Sequence, residues 1–135
     1  MNKVPLSFKN NTALIYVYRI KDLENDFQNC LSKELLKKYG YDTDDIFTAI
    51  NRLSNRMKDY VNFPHEIGLF LGYPPEDVKG FIDNDAKNYK YIGYWKVYGD
   101  VDKSKREFEK YHSCQKILLD RLNRGYSLKD LVIQK

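Results

Sequence analysis

The residues best equipped for chemistry sit in "NFPHEIGLFLGYPPEDVKGF", Asn62 to Phe81. A histidine and a glutamate stand side by side there, His65 and Glu66. A zinc-peptidase helix needs a second histidine four residues on, so that both imidazoles share one face. Position 69 is Leu69, and the segment reads as strand, so that chemistry is excluded. As an acid–base dyad the pair is awkward, because neighbouring strand residues point to opposite faces. A loop after Pro64 would relax that objection. A small enzyme using His65 and Glu66 beside tyrosine hydroxyls therefore stays open as an alternative. The stronger reading of His65 is a hydrogen-bonded histidine at the start of a strand.

Other nucleophiles and metal ligands are sparse. His112 and Cys114 lie two apart, and on a helix they diverge by about 200°, so they form no nucleophile–base pair. Cys30 lies on an apolar stripe and is expected to be a small, buried, inert core residue. With 2 histidines and 2 cysteines in all, at unhelpful spacings, no metal site is expected, and no cofactor either. Gly68 and Gly72 form neither of the familiar phosphate loops. The helix after them opens with Glu76 and Asp77, and the last long helix opens near Asp100 and Asp102. Carboxylates at helix starts complement the dipole and repel phosphate, so tight ATP or NAD binding is not expected. Parallel strands would gather both acidic turns at one sheet end, where they would suit a cation or an amine. Ordinary capping is the plainer reading of each.

Glycines mark a different kind of candidate. On a strand, Gly68 and Gly72 share a face with Phe70, and Gly93 stands beside Tyr94 and Trp95. Missing side chains leave a trough in a sheet, and aromatic walls around it suit a flat ligand or a partner's inserted side chain. The stronger reading is packing: Gly80 of the next helix fills the trough, or Gly93 marks a bulge. The candidate binding set is thus His65, Glu66, Gly68, Gly72, Tyr73, Gly93, Tyr94, Trp95 and Lys96, with Trp95 expected to be largely buried.

The elements that must position these residues follow from periodicity. Thr12 to Arg19 is β-branched and aromatic, hence a strand. Leu23, Phe27, Cys30, Leu31 and Leu35 fall on one helical stripe, ended by Gly40. "DTDD" caps a second helix that buries Ile46, Ile50, Leu53, Met57 and Tyr60 or Val61. Glu66 to Tyr73 reads as a second strand. Pro75 opens a helix that buries Val78, Phe81 and Ile82. Lys90 to Tyr98 reads as a third strand. Asp100 or Asp102 starts a long helix with Val101, Phe108, Tyr111, Leu118 and Leu122 inward. Gly125 stops it, and Ser127 caps a final short turn.

The expected architecture is a single α/β (α+β) domain over residues 1–135 with about five helices, in the order β-α-α-β-α-β-α-α. Its sheet is small, three-stranded and mixed. A right-handed parallel crossover joins the second and third strands, and a helix pair lets the first run antiparallel. All three strands are apolar on both faces, so helices or a partner should cover both sides.

Composition bounds the function. A chain of 135 residues is one domain's worth, and an aromatic content of 15% speaks against disorder. The net charge is +4, with 19 acids interspersed among 23 bases, so the basic stripe of a nucleic-acid domain is missing. Lys79, Lys87, Lys90 and Lys96 with nearby tyrosines leave a weak single-strand nucleic-acid binder as a second alternative, though nucleic acid is not the expected partner. Arg52, Asn55 and Arg56 read as a basic surface patch. No apolar run suits a bilayer, and "MNKVPLSFKNN" lacks the apolar core of a signal peptide. A cytoplasmic protein with reduced thiols is expected.

Three strings, "ALIYVYR", "FPHEIGLFLGYPPEDVKGFI" and "YIGYWKVYGDVDKSKREFEKY", resemble the bacterial family known as domain of unknown function 3793. The likeness spans nearly the whole chain. It implies a bacterial cytoplasmic protein of no stated activity. It also implies a further N-terminal segment with a Cys-Ala-Pro-like stretch, against which this chain is expected to be a short form. The leading expectation is a non-catalytic module that binds a small molecule or a protein, with oligomeric state open.

Overall fold

The computed structural model describes residues 1–59 and 63–127. The chain opens with a strand that periodicity did not flag. β1 (Asn2–Lys9) pairs antiparallel with β2 (Thr12–Tyr18). Asn10 and Asn11 join them at φ 52° and 62°, the left-handed pair that a two-residue hairpin turn requires and asparagine tolerates. Leu6 and Tyr16 face the core, while Phe8, Ile15 and Val17 are exposed.

The expected first helix is broken in two, α1 (Ile20–Gln28) and α2 (Cys30–Lys38). Asn29 sits between them with ψ 130°, and its side-chain oxygen accepts from the Leu31 and Ser32 amides at 3.0 and 3.1 Å. Asparagine competes with the helix for backbone donors and works better as a cap. Leu23, Phe27 and Leu35 keep their buried positions, but the break turns Cys30 out to solvent. The expectation of a buried, inert Cys30 is therefore corrected. Cys114 is exposed as well. Native protein should titrate both thiols within minutes with Ellman's reagent. Full labelling that needs denaturant would contradict this placement.

α3 (Ile46–Asp59) is capped by Asp45, which accepts from the Phe47 and Thr48 amides at 3.1 and 3.4 Å. It buries Ile46, Ile50, Leu53 and Met57, as expected of it, and Ala49 besides. Tyr60 and Val61 lie outside the described residues.

The segment expected as the second strand is instead a single helical turn, α4 (Ile67–Phe70). Gly72 at φ 78° ends it, and the Tyr73 amide closes onto the Gly68 carbonyl at 3.0 Å. That reversal is the glycine-terminated helix ending; the same bond runs from Tyr41 to Leu36 beyond Gly40. A four-residue apolar run buried on several sides carries no periodicity to separate helix from strand. α5 (Pro75–Asp83) starts with Pro75 at its first position, as expected.

Lys90 to Tyr98, expected as one strand, folds back on itself. β3 (Tyr91–Ile92) and β4 (Lys96–Val97) form a tight antiparallel hairpin. The three-stranded mixed sheet and its parallel crossover are thus replaced by two separate two-stranded antiparallel sheets. The mixed α+β class holds, with six helices among the described residues. α6 (Val101–Asn123) is capped by Asp100, which accepts from the Lys103 amide at 3.0 Å. Phe108 packs inward, but Tyr111 and Leu118, expected inward, are exposed and Leu122 is half-buried. Gly125 ends the helix at φ 94°; the turn expected after Ser127 lies outside the described residues.

Two apolar clusters result. The larger joins the first hairpin to α1 through α5. The smaller holds Trp95, Val97 and Phe108, and Tyr73 packs against both. No helix among the described residues is long and apolar enough to cross a membrane.

Candidate functional site

The second hairpin is fastened to α5 by one carboxylate. Asp77 is buried in the first turn of α5. Its Oδ2 accepts the Trp95 indole N–H at 2.8 Å. Its Oδ1 accepts the Tyr98 and Gly99 amides at 3.0 and 2.8 Å. Asp77 therefore does more than complement its own helix, because it satisfies three donors of the chain that follows. Trp95 is held between Tyr73, stacked at 4.6 Å and 27°, and Phe108, edge-on at 4.6 Å and 71°. It is buried as expected.

The glycines serve this packing. A Cβ at Gly93 would collide with the Phe108 ring, and one at Gly80 with the Tyr98 ring. One at Gly68 would lie 2.9 Å from Val78 and 3.0 Å from Tyr73. The trough expected from Gly68 and Gly72 does not exist, because those residues belong to a helical turn and its reversal rather than to a strand. Gly80 and Gly93 do serve close packing, but against other partners than expected: Gly80 meets Tyr98 rather than Gly68 and Gly72, and Gly93 lies in a hairpin turn against Phe108 rather than at a bulge.

A cavity is present all the same, between residues 63–81 and the second hairpin. It measures about 360 Å³. Phe63, Ile67, Val78 and Phe81 line one side, and Ile92, Tyr94 and Trp95 the other. His65 stands edge-on to Phe81, ring centres 5.1 Å apart at 88°. Lys96 donates to the Ala86 carbonyl at 2.8 Å, with its ammonium 4.8 Å from the Tyr89 ring centre and 5.9 Å from that of Phe81. The loop that offers this carbonyl is strained: Asp85, Ala86 and Asn88 have φ of 50°, 65° and 62°.

Of the residues singled out from the sequence, His65, Gly68, Tyr73, Gly93, Tyr94, Trp95 and Lys96 come together in this cavity. Glu66 and Gly72 do not. Glu66 points the other way and is fully buried. It accepts from the Tyr41 hydroxyl at 3.1 Å and pairs with Arg56. Its second oxygen has no hydrogen-bond partner among the described residues. Burial, and then the Glu66 charge, push the Tyr41 hydroxyl well above its ordinary range. His65 and Glu66 thus occupy different surroundings and form no dyad. Gly72 borders a second, polar cleft of about 360 Å³ on the far side of Tyr73 and Trp95, with Asp26, Glu76, Lys103 and Glu107 around it. No cluster of histidine, cysteine and carboxylate groups suited to a metal occurs among the described residues.

Several of the basic side chains are engaged. Arg52 donates to the Tyr39 carbonyl at 3.1 Å, and Arg56 serves Glu66. Lys79 pairs with Asp83, and Lys90 donates to the Gly99 carbonyl at 3.2 Å. Phe63, Ile67, Val78, Phe81 and Ile92 were missed as site residues. Each looked like core or connector, and only the folding of the hairpin onto α5 makes them walls.

No curated protein and no solved structure matches this sequence. A family model does, over residues 1–132, and the chain belongs to that family, described as protein of unknown function (DUF3793).

Proposed function

We propose that this protein is a non-catalytic binding module whose site is the cavity between residues 63–81 and the second hairpin. The observation that carries this reading is a pocket of about 360 Å³ walled by Phe63, Phe81, Tyr94 and Trp95. That is within the range of small-molecule sites, roughly 300–1,000 Å³, and the lining has their usual pattern of apolar walls with few polar groups. Catalysis is not favoured by the groups at hand, because Asp77 is occupied by three N–H donors and Glu66 faces away. Nucleic-acid binding is not favoured either, since Lys79 and Lys90 already serve a carboxylate and a carbonyl.

Trp95 is the only tryptophan in the chain and lines the cavity, which supplies a test. Titration with the neutral dye N-phenyl-1-naphthylamine should give saturable, blue-shifted emission that is sensitised by exciting Trp95. Ile92→Tyr, which places a ring at an exposed lining position, should abolish it while leaving the melting temperature nearly unchanged. Dye emission that neither saturates nor responds to Ile92→Tyr would sink the reading.

A further inference from the structure

Resting on that cavity assignment, we propose that the occupant is a small aromatic carboxylic acid. Its ring lies between the second hairpin and residues 63–81, and its carboxylate meets Lys96 and His65. The walls ask for a planar group, because Phe63, Phe81, Tyr94 and Trp95 all line them. About 360 Å³ is near the lower limit for ligand sites. That space suits one or two fused rings and is too small for a nucleotide.

The charge follows from which polar groups are already used. Asp77 is the acid in the lining, and its oxygens accept N–H bonds of 2.8, 3.0 and 2.8 Å. It also stands in the first turn of α5, where the helix dipole favours a negative charge. Its charge is compensated inside the protein, and the Trp95 N–H is consumed in doing so. Lys96 has three donors and gives one to the Ala86 carbonyl. His65 offers its ring to Phe81 and makes no hydrogen bond among the described residues. The lining therefore presents an incoming group with spare donors and one half-buried positive charge. A carboxylate complements that arrangement and an ammonium opposes it.

Isothermal titration calorimetry with three ligands that share one ring system tests this: 1-naphthaleneacetate, 1-naphthalenemethanol and 1-naphthylmethylammonium. The acid should bind at least tenfold more tightly than the amine, with the alcohol between them. The gap should narrow as salt is raised, because part of it is a partly exposed charge pair. Lys96→Met should erase the gap while leaving the alcohol's affinity within about twofold, and Lys96→Arg should keep it. Because Lys96 also holds the Ala86 loop, the salt series on the unaltered protein tests the same point without a substitution. An amine that binds as well as the acid, or a gap that survives both salt and Lys96→Met, overturns the proposal while leaving the cavity assignment in place. Failure of all three ligands, the neutral alcohol included, overturns the cavity assignment itself and the acid with it.

Discussion

Asp77→Ala is expected to lower stability by about 3–5 kcal/mol, since the buried indole donor left without an acceptor costs roughly 1–3 kcal/mol and the two half-buried amides add to it. Three donors lose their acceptor at once: the Trp95 indole and the Tyr98 and Gly99 amides. Alanine offers no replacement, and the cleft beside it is walled by apolar groups. In a domain of this size the loss corresponds to a fall in melting temperature of roughly 10–20 °C. Urea unfolding followed by Trp95 emission measures it, and the emission should shift red as the indole is freed. Asp77→Asn keeps one acceptor oxygen and should recover part of the loss. A change below about 1 kcal/mol for the alanine variant would mean that water replaces the carboxylate freely, and that the hairpin is not fastened in this way.

Arg56→Met should cost a similar amount, about 3–5 kcal/mol, by a different route. Glu66 is fully enclosed, and Arg56 is the cation paired with it. Removal of that partner leaves a buried charge supported by one phenol, at 3.1 Å from Tyr41. Arg56→Met with Glu66→Leu should restore most of the lost stability, since replacing both partners by apolar groups leaves nothing orphaned. Equal deficits for the single and double variants would show that the arginine's worth lies in packing its stem, not in its charge.

Element ends were the most legible part of this sequence. Asp45, Pro75 and Asp100 start helices, and Gly40 and Gly125 end them, each where local chemistry places it. These signals depend on the backbone within a few residues and need no tertiary knowledge. The stripe of α3 was legible for the same reason. Tertiary burial decided the rest. Ile67 to Phe70 is a buried apolar run too short to show a period, and Asn29 interrupts a stripe that otherwise looks continuous. β1 hides behind Pro5 and a register shift between Pro5 and Ser7.

The site was half legible. Its aromatics and glycines stood out as a group, and most of that group does line one cavity. The reason given by a sheet trough was wrong, because Gly93 makes room for Phe108 and not for a ligand. Asp77 was the residue least open to sequence reasoning. A carboxylate in a helix's first turn is explained by the dipole alone, and nothing nearby points to partners 18 to 22 positions away.

The Asp77 clamp also makes two backbone amides into reporters. Tyr98 and Gly99 donate to a side chain, not to a ladder, so their protection against solvent deuterium depends on α5 and the second hairpin staying docked. The small Trp95 cluster meets the larger one through Tyr73, a narrow junction of the kind along which proteins open locally below the free energy of full unfolding. Exchange at Tyr98 and Gly99 should therefore track separation of the two clusters. Exchange within α3, deep in the larger one, should track global unfolding. The difference between those two rates measures how independently the second hairpin breathes against the opposite wall of the cavity.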